Sequence, residues 1–237
     1  MEQYEFVNKT EYGPVRAELE TILQKMRNYI RKNNPDLDFN WELIGSGRKH
    51  LITRVKNGNR GFDFDFNLII DDPGDGNKWI GKNVHNAFLE AIRYAVKGTG
   101  FKDPEESTSV FTIKRVNKKQ SKVNCSCDFG IVYYDNQGGY HYLNYFKENG
   151  GFGFLERSFR YYVDDAVDEL TNYDTNSWNW IRAVYLELKN NNPQNKRSFI
   201  LYVEAVHIVY DQVFNSPSED DDDYDDEIDH VRLHESI

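Results

Sequence analysis

The chain has 237 residues, 39% of them hydrophobic and 29% charged, with a formal net charge of −10. That length serves one large domain or two small ones sharing a cleft, and no apolar run reaches the roughly 20 residues that cross a bilayer. The opening Met1-Glu2-Gln3-Tyr4-Glu5 lacks the basic-then-apolar pattern of a secretion signal, so no membrane partner and a cytoplasmic location are expected.

The charge is unevenly spread. Residues 216–237 hold ten acidic side chains against the single basic residue Arg232, a local charge of −9, which leaves the remaining body close to neutral. A near-neutral body argues against a strong, salt-dependent grip on long nucleic acid, though a nucleotide or a structured RNA end stays open. The acidic segment has too few apolar residues to bury a core and is expected to be disordered. The two cysteines, Cys125 and Cys127, stand two positions apart without metal-ligating neighbours and read as small buried hydrophobes.

Along the chain, residues 15–30 carry Leu19, Ile22, Leu23, Met26 and Ile30 at helical spacing, with Pro14 at the start and Asn33-Asn34-Pro35 at the end. A strand over 39–44 leads into Gly45-Ser46-Gly47. A second extended piece over 50–55 is followed by Lys56-Asn57-Gly58-Asn59, a strong hairpin signal. In the strand over 62–70, Phe62, Phe64, Phe66 and Leu68 share one face, with Asp63, Asp65 and Asn67 on the other. After a loop at 71–76, a helix is predicted over 84–97 and strands over 111–116, 122–134 and 140–146. In the long strand Val123, Cys125, Cys127, Phe129 and Ile131 oppose Asn124, Ser126 and Asp128. The glycine-rich 148–153 reads as a domain boundary, and helices are predicted over 160–170, 177–190 and 194–214.

Three features combine into a candidate site. A Gly-Ser turn ends one strand, an Asp-x-Asp pair occupies the next long strand, and a single Asp lies on a later one. Carboxylates at i and i+2 of a strand project from one side, so Asp63 and Asp65 can reach one ion. Asp128 from another strand would complete a two-metal site, with Mg²⁺ or Mn²⁺ taking oxygen ligands and substrate phosphates. Gly45 and Ser46 offer backbone N–H groups and a hydroxyl to a triphosphate. Asp is disfavoured in strands and like charges on one face repel, so the pattern breaks local rules where a function would explain it.

Gly45-Ser46, Phe62-Asp63-Phe64-Asp65-Phe66 and Cys127-Asp128-Phe129 together resemble the signature motifs of the polymerase β-like nucleotidyltransferase superfamily. The stretch 43–70 is most similar to the branch of cyclic GMP–AMP synthase, its bacterial relatives and oligoadenylate synthase. The resemblance implies an α+β fold: a mixed-sheet nucleotidyltransferase core over 1–150 flanked by helices, a small helical substrate-side domain over 151–215, and the acidic tail over 216–237. It also implies transfer of a nucleoside monophosphate from an NTP to an acceptor hydroxyl with release of pyrophosphate, with an oligonucleotide or cyclic nucleotide among the products. In that reading Asp63, Asp65 and Asp128 are catalytic and hold the metal.

Gly45, Ser46, Arg48 and Lys147 are the candidate substrate contacts, Arg48 because it follows the turn and Lys147 because it precedes the glycine-rich break. Lys49 shares Arg48's position, and Lys189 and Arg197 are weaker candidates. Trp178, Trp180, Tyr185 and Tyr202 read as helical core or as stacking surfaces. The acceptor stays open among a nucleotide, an RNA end, a protein hydroxyl and a small molecule. The rival readings are a non-catalytic nucleotide- or partner-binding protein on the same fold, and a metal-dependent nuclease.

Overall fold

The computed structural model describes residues 2–72, 81–148, 150–157 and 163–215. The acidic tail, most of the 71–76 loop, and the first residues of the helix expected at 160 lie outside them.

The chain opens with β1 (Tyr4–Phe6) and α1 (Lys9–Asn33), then β2 (Phe39–Ile44), the short α2 (Gly45–Arg48), β3 (Thr53–Val55) and β4 (Phe62–Ile70). There follow α3 (Gly81–Ala95), β5 (Glu105–Glu106), β6 (Val110–Asn117), β7 (Lys122–Tyr134), β8 (Tyr140–Phe146) and β9 (Gly151–Glu156). The helices α4 (Asp164–Tyr173), α5 (Ser177–Asn190) and α6 (Ser198–Phe214) complete it.

The main sheet runs β2-β4-β7-β6-β5, with β8 pairing β7 and β9 pairing β8. It is mixed: β4 and β7 are parallel, and every other named pair is antiparallel. The alternation along β4 follows from strand geometry. Phe62, Phe64, Phe66 and Leu68 are buried in one cluster with Cys125, Cys127, Phe129 and Ile131 of β7. Leu19, Ile22, Leu23, Met26 and Ile30 of α1 and Val84, Phe88, Ala91 and Ile92 of α3 cover that face. Gly61 allows β4 to start against β7, because a Cβ there would stand 2.0 Å from the Asn124 carbonyl oxygen.

A second cluster joins α4, α5 and α6 through Leu170, Ile181, Tyr185, Leu201, Tyr202, Val206 and Val209. Leu51, from the connection between α2 and β3, inserts into it and ties it to the sheet. The buried Ser177 hydroxyl donates to Leu170 O at 2.8 Å.

Three local expectations change. The turn at 56–59 forms, with Asn57 at φ 59° and Gly58 N–H bonded to Val55 O, but β3 pairs with β1 rather than β4. The turn signal is local, whereas the N-terminal strand that competes for β3 is distant in sequence. The glycine-rich run closes the β8–β9 hairpin instead of ending the sheet, with Phe146 opposite Gly151. Pro14 lies inside α1 rather than at its start, where it forfeits one backbone hydrogen bond.

Candidate active site

The sheet face opposite α1 and α3 carries the carboxylates. Asp65 on β4 and Asp128 on β7 are direct partners in the parallel register, and Asp63 is opposite Ser126. Neighbouring residues in register point to the same side of a sheet, so the three acids share one face although 65 positions of chain separate Asp63 from Asp128. Thr112, opposite Asp128 on β6, donates its hydroxyl to Asp128 Oδ1 at 2.6 Å. The Ser126 hydroxyl donates to Asp63 Oδ1.

The Gly-Ser turn reaches this cluster because Ile44, the last residue of β2, is opposite Asp65. Gly45 then turns the chain at φ 61°, and a Cβ there would stand 2.8 Å from Asp65 Oδ2. Glycine is therefore required twice, by the left-handed backbone and by the nearby carboxylate. The adjacent Gly47 is buried against Leu43 and Phe64.

These residues line one cavity of about 310 Å³ between sheet and helices, within the size range of small-molecule sites. Gly45, Ser46, Asp63, Asp65 and Asp128 form one wall; Tyr185, Lys189, Ser198, Phe199 and Tyr202 form the other. Lys189 projects from α5 and donates to Thr53 Oγ1 at 2.7 Å, Ser198 Oγ at 3.2 Å and Tyr185 OH at 3.3 Å. Lys49 reaches Tyr202 OH at 3.4 Å, lies over the Tyr202 ring and faces Asp164 at 3.7 Å.

The electrostatics follow from this crowding. Burial, then the charges of Asp128 and Asp63, push the Asp65 carboxyl up to about 6. Burial also raises Asp128, with Asp63 adding to the shift and the Thr112 hydroxyl and Lys114 opposing it. Lys189 is pushed down to about 8 by burial, against the pull of Asp63. Burial raises Tyr202 to about 12.

The chemistry of the donor set fits a hard divalent cation: three carboxylates on one face, two of them destabilised in their charged form. Among the described residues no ion pair neutralises any of them, and no group of three or more acidic, His or Cys side chains is already gathered in a metal-holding geometry. Asp63 and Asp128 each commit an oxygen to a neighbouring hydroxyl instead.

Two sequence candidates lie elsewhere. Arg48 lines a neighbouring cavity with Gly45 and Tyr202 and pairs with Glu42 at 2.6 Å, its side chain 65% exposed. Lys147 follows β8 and lines a different cavity with His85, Glu106 and Tyr145. It does so because the glycine-rich run closes a hairpin rather than opening the cleft.

Lys189 lines the cavity and has a sequence signal of its own. Ile181, Tyr185 and Lys189 recur at i, i+4 and i+8 on α5, so a lysine continues an otherwise buried face. Ser198 and Phe199 carry no comparable signal.

An Asp-bearing mixed sheet, a Gly-Ser turn at the end of its edge strand and a helical module across the cavity describe a class. The fold is one shared with a solved prokaryotic homologue of cyclic GMP–AMP synthase. Among solved structures, the chain is similar to DncV, the cyclic AMP–GMP synthase of Vibrio cholerae, in complex with the linear intermediate 5′ pppA(3′,5′)pG. The TM-score is 0.55 at 12% identity, covering 91% of this chain and 69% of that one. A DncV variant with two aspartates, two positions apart, replaced by alanine gives a TM-score of 0.61 at 10% identity, covering 91% and 71%. DncV with nonhydrolysable GTP gives 0.54 at 13% identity, covering 92% and 70%. At these identities the likeness establishes a shared fold. No protein-family model and no curated protein matches the sequence. Among the described residues no helix is long and apolar enough to cross a membrane.

Proposed function

We propose that this chain is a metal-dependent nucleotidyltransferase that moves a nucleoside monophosphate from an NTP to an acceptor hydroxyl. The observation that carries this reading is the meeting of Asp63, Asp65 and Asp128 with the Gly45-Ser46 turn in one cavity. Asp63, Asp65 and Asp128 would hold Mg²⁺ or Mn²⁺, which supplies charge neutralisation for the phosphates when bound.

Gly45 and Ser46 cradle the β- and γ-phosphates, and Lys189 meets their charge from the opposite wall. Phe199, 48% exposed at the cavity rim, is available to stack on a base. The acceptor oxygen bonds to the α-phosphorus as the bridge to the β-phosphate breaks, and pyrophosphate leaves. Asp128 takes the acceptor's proton. The helical part, α4 to α6, closes the substrate side of the core. The likeness to a cyclic AMP–GMP synthase supports a second nucleotide as acceptor.

The experiment is incubation with each α-³²P-labelled NTP and Mg²⁺ or Mn²⁺, followed by chromatography of the products. New phosphodiester products and pyrophosphate are expected from the wild type and none from Asp63→Ala or Asp65→Ala. Full turnover in both variants would overturn the reading. Nucleotide binding without product would instead support a non-catalytic binding protein, the alternative favoured by the hold of Ser126 on Asp63.

A further inference from the structure

β1 stands apart from the main sheet. It pairs with β3, with Tyr4 opposite Val55, Glu5 opposite Arg54 and Phe6 opposite Thr53. Bonds from Lys56 N to Gln3 O at 2.7 Å and from Val7 N to Ile52 O at 2.9 Å extend this pairing at both ends. Its other side lies against α5. Tyr4 N–H donates to Asn190 Oδ1 at 2.6 Å, and Asn190 Nδ2 donates back to Tyr4 O at 3.4 Å. The Arg182 guanidinium lies 4.3 Å from the Phe6 ring centre, Phe6 stacks on Tyr185, and Lys189 Nζ lies 4.9 Å from the Tyr4 ring centre. Arg182, Tyr185 and Lys189 share one face of α5 at i, i+3 and i+7. The strand is thus wedged between the core and the helix that supplies Lys189 to the cavity.

We infer that β1 is a strap that positions Lys189 for the triphosphate, with Tyr4 and Asn190 as its positioning residues. The inference rests on the phosphate-binding role proposed for Lys189. A lysine stem is long and flexible, and a cation left free must lose that freedom when a phosphate binds. Here the ammonium is fixed before any ligand arrives. Thr53 of β3, Ser198 of α6 and Tyr185 of its own helix accept its hydrogen bonds, Tyr4 covers it, and Asp63 of β4 is its charged neighbour. Covering the ammonium also removes water, which strengthens its attraction for an anion entering the cavity.

The test is calorimetric binding of inorganic tripolyphosphate to the full chain, with Tyr4→Ala, Tyr4→Phe, Asn190→Ala and Lys189→Met compared with the wild type. Tyr4→Ala is expected to weaken binding by about tenfold, the size of a desolvated cation–aromatic contact. Tyr4→Phe keeps the ring and is expected to bind as the wild type does, which separates the contact from general damage to the fold. Asn190→Ala should weaken binding in the same direction. In turnover with MgATP, Tyr4→Ala should raise KM with kcat nearly unchanged, as for a group that holds ground state and transition state alike. If Lys189→Met loses affinity while Tyr4→Ala and Asn190→Ala keep it, the strap is overturned and the phosphate-binding lysine stands. If Lys189→Met binds as the wild type does, the role of Lys189 falls and the strap with it.

Discussion

Asp38 and Asp65 sit beside opposite ends of β2 and have opposite fates. Asp38, just before the strand, accepts two hydrogen bonds from Arg27 at 3.0 and 2.9 Å and two from Arg31 at 3.0 and 2.5 Å. The Arg27 and Arg31 bonds hold its carboxyl well below the usual carboxylate range. Asp65, across from the strand's last residue, has burial and two further carboxylates for company, and its carboxyl is driven up. The paired acid ties α1 to the sheet and is satisfied. The clustered acids are held together by the fold against their own repulsion, which a bound cation would relieve.

The largest expected break in this comparison is Asp65→Asn. It should eliminate NTP turnover and also stabilise the metal-free protein at pH 7.5 by about 2 kcal/mol, because the wild type must ionise a carboxyl whose folded pKa is raised. Activity lost together with stability lost would contradict the electrostatic account.

Next is the pH dependence of the metal-free wild type. The native Asp65 carboxyl binds its proton more tightly than the unfolded one does. Its contribution to stability is therefore full below about pH 4 and is lost as pH rises through about 6. The thermal midpoint should fall across that window in EDTA, and Mg²⁺ at pH 7.5 should raise it again. Asp65→Asn should flatten the fall.

Asp38→Asn should behave with the opposite sign. Its folded pKa is depressed, so its contribution is present above about pH 4 and is lost as pH falls. With 39% of the side chain exposed, the cost at neutral pH should be only about 0.5–1 kcal/mol by thermal unfolding. Turnover should survive. The smallest effect is expected of Lys147→Ala, which touches neither carboxylate site: KM for the NTP should stay within about twofold, as for a surface position away from the chemistry.

Much of the candidate site was legible because its signals are local. The Phe-Asp-Phe-Asp-Phe alternation of β4 has a period of two, so the strand's two faces could be read directly. The bounds of α5 at Ser177 and Asn190 and of β7 at Lys122 and Tyr134 were likewise readable from the apolar pattern. β9 was not, because Gly151 and Gly153 give a weak strand signal that only pairing with β8 overcomes.

By itself, then, the amino-acid order determined the longer strands and helices, which face of β4 bears carboxylates, and that Gly45 must turn the chain. These are matters of period and backbone conformation, settled within a few residues. Only the tertiary structure decided that Asp128 lies beside Asp65, that β3 takes β1 as its partner, and that Lys189 enters the cavity while Lys147 does not. Those outcomes depend on register between distant strands and on how α5 docks against the core, and such long-range choices follow from burial of the whole apolar surface.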